Sequence, residues 1–153
     1  MNIGIENTKN VAQALNQYLA DLRVLYSKVQ NYHWNLTGSS FFALHEKYEE
    51  YYDFLNEQVD EIAERILTLG ETPLSSLKDF LNTAKIKEAD SKPVKDSDSV
   101  KTMLEDFEYM IRQQREIISI AEDSNDPGTA DMLTASIETF EKNCWMLRAY
   151  LNK

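Results

Sequence analysis

Apolar residues recur at three- and four-residue spacing through Val11, Leu15, Tyr18, Leu22, Leu25, Val29 and on to His33. This is one stripe of an amphipathic helix, predicted over about residues 8–35. Thr37-Gly38 ends it, with the glycine suited to a left-handed cap, and Ser39 or Ser40 stands where a hydroxyl can cap the next helix. The second stripe is more regular: Phe41, His45, Tyr48, Tyr52, Leu55, Val59, Ile62, Ile66 and Leu69, closed by Gly70 and Pro73. A short helical segment follows from Ser75 to about Thr83, with Leu77, Phe80 and Leu81 apolar. Residues 85–96 carry little periodicity and read as a loop. A third long helix is predicted over about 98–122 through Val100, Leu104, Phe107, Ile111, Ile118 and Ala121. Ser124-Asn125-Asp126-Pro127-Gly128 predicts a turn. Thr129 then caps a fourth long helix through Met132, Leu133, Ile137, Phe140, Cys144, Leu147 and Tyr150.

Four long helices predict an all-α four-helix bundle. The link between the second and third is about 27 residues, long enough to cross the bundle carrying the short helix, which is a ferritin-like connectivity. The composition agrees: four glycines and three prolines in 153 residues leave little for a β-rich chain. Residues 1–153 are expected to form one domain. A net charge of −10 disfavours nucleic acid and anionic membrane as partners and favours cations. No run of 18 apolar residues predicts a membrane span, and Met1-Asn2-Ile3-Gly4-Ile5-Glu6 lacks the basic-then-apolar pattern of a secretion signal. The lone Cys144, in the apolar run Cys144-Trp145-Met146-Leu147, is expected to be a buried thiol in a reducing cytoplasm.

The candidate chemistry lies in the histidines. The chain has two, His33 and His45, and both fall on helix stripes flanking one turn. A single histidine on such a stripe is more often a hydrogen-bonded core residue; two together favour a ligand role. Asp60 and Glu64 lie one turn apart on one side of the second helix, and Glu49 lies one turn after His45. Imidazoles with carboxylates are a ligand set for iron or zinc. Fifteen residues of helix separate His45 from Asp60, about 22 Å of rise, so one chain does not close the site. A di-iron centre within one chain needs Glu-x-x-His on two helices, but Gln30 and Phe42 precede the histidines by three. If two copies of the second helix pack across a two-fold axis, the histidine end of one meets the Asp60/Glu64 end of the other, and the contact is made twice.

Lys28-Val29-Gln30-Asn31-Tyr32-His33-Trp34-Asn35-Leu36-Thr37-Gly38, Phe41-Phe42-Ala43-Leu44-His45-Glu46-Lys47 and Asp60-Glu61-Ile62-Ala63-Glu64-Arg65-Ile66 resemble the signature blocks of the Dps family, the miniferritins. The resemblance covers essentially the whole chain. It implies a bundle with a short crossover helix, assembled as a hollow dodecamer. It implies ferroxidase centres at the two-fold interface, built from His33 and His45 of one subunit and Asp60 and Glu64 of its neighbour. A further acidic ligand, often aspartate in the family, matches Glu49. The activity implied is oxidation of Fe(II), typically by hydrogen peroxide, with storage of ferric mineral. Trp34 matches a site-adjacent tryptophan that donates an electron when iron is short; the plainer reading is an aromatic that packs an interface.

The resemblance also implies an acidic three-fold pore before the last helix, matched by Glu122, Asp126 and Asp131; the plainer reading is a solvated turn. Family members that bind DNA commonly use a Lys/Arg-rich tail, whereas the first ten residues here hold one lysine, Lys9, so DNA binding is not expected. The rival readings are an acidic interaction shell with a vestigial or zinc-occupied site, and a metal-free structural bundle with both histidines in its core.

Overall fold

The computed structural model describes residues 1–153. Its helices are α1 (Thr8–Asn35), α2 (Phe41–Thr68), the short α3 (Leu77–Thr83), α4 (Asp96–Asp123) and α5 (Pro127–Tyr150). Helices α1 and α2 pack as one hairpin, α4 and α5 as another, and α1 also packs on α4 and on α3 in the crossover. The architecture is the ferritin-like four-helix bundle with an extra short crossover helix. The core of 31 buried apolar residues draws on every one of these helices. An aromatic cluster ties the hairpins together: Phe107 meets Tyr51 at 5.0 Å and Phe140 at 5.3 Å between ring centres, and Phe54 meets Phe140 at 5.4 Å. No helix is long and apolar enough to cross a membrane.

The α1 stripe is buried as its spacing predicts, from Val11 to His33. On α2 the inward stripe is displaced from the predicted one. Leu44, Tyr48, Tyr51, Leu55, Gln58, Ile62 and Ile66 are buried within it, while Phe41, His45, Tyr52 and Val59 lie half-buried along its flank. Apolar residues on α2 thus serve two adjacent strips, and only one faces the core.

Three local features differ from the sequence reading. Residues 85–96 end in a strand rather than a loop: β2 (Val94–Lys95) pairs in parallel with β1 (Leu36–Thr37), fastening the crossover beside the α1–α2 turn. Ser40 occupies the position before α2 but its side chain caps nothing; instead the Asp96 carboxylate accepts from Ser40 N–H at 3.1 Å and from Ser97 N–H at 2.7 Å. Gly38, at φ 126°, permits this approach, since a Cβ there would lie 2.6 Å from the Asp96 carboxylate carbon. Finally, α5 starts at Pro127, not at Thr129. Asp126 is its cap, accepting from Thr129 N–H at 3.0 Å, and proline occupies the first turn, where its missing N–H costs nothing.

The buried Asp21 holds the other part of the crossover. Its carboxylate accepts from the backbone N–H of Lys85 (2.7 Å) and Ile86 (2.9 Å), from the Tyr109 hydroxyl (3.0 Å), and from the carboxamides of Gln17 and Gln113. A buried ion pair, Lys28 to Asp106 at 2.7 Å, joins α1 to α4.

Candidate metal centre

His33, in the last turns of α1, and His45, in the first turns of α2, face one another across the Gly38 turn. Their rings stack at 3.7 Å between centres and 12° between planes. Each Nδ1 lies within hydrogen-bond distance of the other's backbone carbonyl: His33 Nδ1 to His45 O at 2.6 Å, and His45 Nδ1 to His33 O at 2.7 Å. A carbonyl only accepts, so each Nδ1 carries the proton and donates it. In the neutral form of each ring this contact places the proton on Nδ1 and leaves Nε2 with its lone pair. A hydrogen bond on the distal ring nitrogen is how proteins orient a metal-binding imidazole.

The surroundings are aromatic on one side. Tyr52 sits edge-on to His33 at 5.2 Å, and Phe41 stacks on His45 at 5.1 Å. The Tyr52 hydroxyl donates to Glu49 Oε1 at 3.3 Å, which ties the carboxylate one turn after His45 to the imidazole pair. Desolvation, then the Glu49 carboxylate, holds this phenol above its ordinary pKa. Sequence reasoning did not single out Tyr52 in this role; its place seven residues after His45 on the same stripe was the available signal.

Asp60 and Glu64 are exposed on α2, 15 and 19 residues beyond His45 on the same continuous helix. Within one chain no group of three or more His, Cys, Asp or Glu side chains is arranged to hold a metal ion. The imidazoles and this carboxylate pair are therefore not brought together by folding alone. Trp34 is exposed and lines a cleft of about 270 Å³ with Asn31, Glu88 and Ser91.

Of the predicted pore residues, Glu122 and Asp131 are exposed at the α4–α5 turn. Asp126 is not: it is fully buried, pairs with Arg65 Nη2 at 2.6 Å, and caps α5. The same guanidinium donates through Nε to the Thr129 hydroxyl at 2.9 Å. Asp126 is thus consumed by the fold and has no free face to offer a pore. The motif Asp60–Ile66 contained this Arg65, but nothing in the spacing linked it to a residue 61 positions away.

The ferritin-like domain family matches residues 12–153. The chain is 39% identical over 145 residues to DNA protection during starvation protein 2 of Bacillus anthracis, covering 95% of this chain and 99% of that one. It superimposes on Dps from Bacillus brevis with a TM-score of 0.92 at 38% identity, over 99% of each chain. The chain belongs to the Dps family of ferritin-like proteins. Other solved structures are similarly close. Antigen TpF1 from Treponema pallidum superimposes over 100% of each chain with a TM-score of 0.95 at 33% identity. Dps from Vibrio cholerae O1, described as a member of a broad superfamily of ferritin-like diiron-carboxylate proteins, gives 0.91 at 36%, over 99% of each chain. In the chain described here, His33 at the end of α1 and His45 near the start of α2 stand together, while Asp60 and Glu64 lie further along α2.

Proposed function

We propose that this Dps-family chain oxidises Fe(II), preferably with hydrogen peroxide, and stores ferric mineral in a hollow cytoplasmic shell of twelve copies, protecting the cell against oxidative stress. Residues 1–153 act as one domain of that shell. Iron is substrate and cargo. His33, His45 and Glu49 of one subunit bind it together with Asp60 and Glu64 of the neighbour. The observation that carries this reading is the reciprocal His33–His45 lock. It presents two adjacent imidazoles with fixed tautomers and unshared Nε2 lone pairs, an arrangement a core histidine pair has no need of. Nitrogen and oxygen donors of this kind suit Fe(II), and an incomplete shell leaves room for the oxidant. Two Fe(II) ions held together each give up one electron, so one peroxide takes both and is reduced without releasing a radical.

The residues around the imidazoles have defined tasks. Tyr52 steadies Glu49 through its hydroxyl and packs against His33. Trp34, one residue from His33 and exposed, is the reserve electron donor. Glu122 and Asp131 attract Fe(II) at the entry pore.

The test is peroxide-dependent Fe(II) oxidation followed by absorbance, with solution mass measured in parallel. The wild-type chain is expected to oxidise iron and gain mineral mass. A His33→Gly, His45→Gly double variant is expected to keep the shell's mass and lose the rapid oxidation; an undiminished rate in that variant would remove the site assignment. Zinc is a second reading for the same ligands, favoured by the donor types and by the Dps of Listeria innocua having been studied after zinc soaking. Zinc that binds tightly and is not displaced by Fe(II) would support it.

A further inference from the structure

Helices α1 and α4 run antiparallel: Lys28 pairs with Asp106, and one to two turns earlier on α1 Asp21 meets Gln113, later on α4. A cleft of about 230 Å³ opens along this seam, beside the start of the crossover segment at Lys85. One wall is apolar, formed by Ala14, Ile117 and Ile120. Lys85, Arg112 and Glu116 bring charge to it. No residue of α2 or α5 lines it, so it is separate from the imidazole pair and from Asp60 and Glu64. Its volume lies below the roughly 300–1,000 Å³ of sites for drug-sized ligands and suits a smaller molecule.

Lys85 and Arg112 are both exposed, and neither belongs to an ion pair. In a chain of net charge −10, two unpaired cations at one cleft are a local reversal of sign. The buried Asp21 behind the wall does not pair with them, because its acceptor sites are full. One oxygen takes the Lys85 and Ile86 N–H groups, and the other takes Gln17, Tyr109 and Gln113. Gln17 also donates to the Thr83 carbonyl at 2.9 Å. Tyr109 keeps its proton for Asp21, since burial and then that carboxylate raise its pKa. The strong donors left to the cleft are the Lys85 ammonium and the Arg112 guanidinium. One buried polar atom of the lining has no partner, the carboxamide oxygen of Gln113, a residue only 8% exposed. A donor carried in by a ligand would satisfy it.

We infer that this cleft binds a small amphipathic monocarboxylate bearing a hydroxyl or amine next to its carboxyl group. The carboxylate lies between Lys85 and Arg112, whose planar guanidinium matches its two oxygens. The hydroxyl or amine donates to Gln113 Oε1. The apolar body covers Ala14, Ile117 and Ile120. Glu116 sets the charge: it offsets one of the two cations, so a single negative charge balances the cleft and a second one meets a carboxylate. Lys85 belongs to the crossover and Arg112 to α4. A ligand bridging them therefore adds a tie between the two where Asp21 already holds the crossover backbone. Binding to the folded chain then stabilises it in proportion to occupancy.

Isothermal titration of the iron-free full chain with phenyllactate tests this, since that molecule combines a carboxylate, a neighbouring hydroxyl and an apolar ring. Saturable binding in the millimolar range or tighter is expected, and the melting temperature should rise with ligand concentration. A Lys85→Gln, Arg112→Gln double variant is expected to bind at least tenfold more weakly, with solution mass and iron oxidation unchanged. Phenylpropionate, which lacks the hydroxyl, should bind several-fold more weakly than phenyllactate. Inorganic phosphate, which lacks the apolar body, should not displace phenyllactate at equal concentration. Absence of saturable binding, or equal affinity in the double variant, overturns the site. Displacement by phosphate makes the cleft a simple anion site and overturns the ligand class. Equal affinity for phenylpropionate overturns the part given to Gln113.

Discussion

Arg65 and Asp126 form an ion pair of 2.6 Å between α2 and the cap of α5, one residue from Glu64. The carboxylate is fully buried and also holds the Thr129 N–H, so it has no water to fall back on. Asp126→Asn removes the charge while leaving the guanidinium partly buried. It is expected to lower unfolding free energy by about 2–4 kcal/mol in urea titrations. Arg65→Lys is expected to rescue little, because an ammonium does not reproduce the separate Nε and Nη2 contacts to Thr129 and Asp126.

If the imidazoles and carboxylates of one site come from different chains, two dead variants should complement each other. In a random mixture of His-less and Asp60/Glu64-less chains, half the dimers are mixed, and each mixed dimer has one intact site of two. About a quarter of the wild-type oxidation rate is then expected. A rate that stays at the level of the separate variants contradicts shared sites.

Asp96 should make the histidine end sensitive to acid. Backbone hydrogen bonds from Ser40 and Ser97 hold its pKa below the ordinary 3.8. A carboxyl whose folded pKa is depressed stabilises the fold above its unfolded pKa and loses that contribution as pH falls through the folded value. Melting temperature is therefore expected to drop more steeply below about pH 4 in the wild-type chain than in Asp96→Asn. Identical pH profiles would show that the contact contributes no linkage.

The curated relatives carry names referring to DNA protection, but the charge of this chain argues against direct binding. Net charge is −10 per chain, and the first ten residues hold one lysine. Few phosphate contacts are available to release counterions. No mobility shift is expected at physiological salt in the absence of divalent metal. A shift under those conditions contradicts this prediction.

Much of this molecule can be read from its sequence because helical periodicity reports burial. The α1 stripe, the crossover helix and the four-helix arrangement follow from spacing and punctuation. The pairing of His33 with His45 also follows, since two stripe positions flanking one short turn must meet. Features that depend on a single polar side chain crossing the fold do not. Asp21 sits beside Leu22 on a helix and gives no sign that it binds backbone 64 residues away. Asp126 reads as a surface acid in a turn until Arg65 is seen beside it. The α2 stripe misled for another reason: a helix with apolar residues on two adjacent strips has no unique inward face until its neighbours are placed.

The grip of Asp21 on the crossover has a consequence for how this chain can vary. A carboxylate that binds the main-chain N–H of residues 85 and 86 is indifferent to the side chains there. The strand pair at Val94–Lys95 is equally a backbone contact. The segment between these two anchors is thus held in place without constraint on most of its side chains. Lineages, or engineers, can rewrite its surface chemistry while the bundle beneath stays the same.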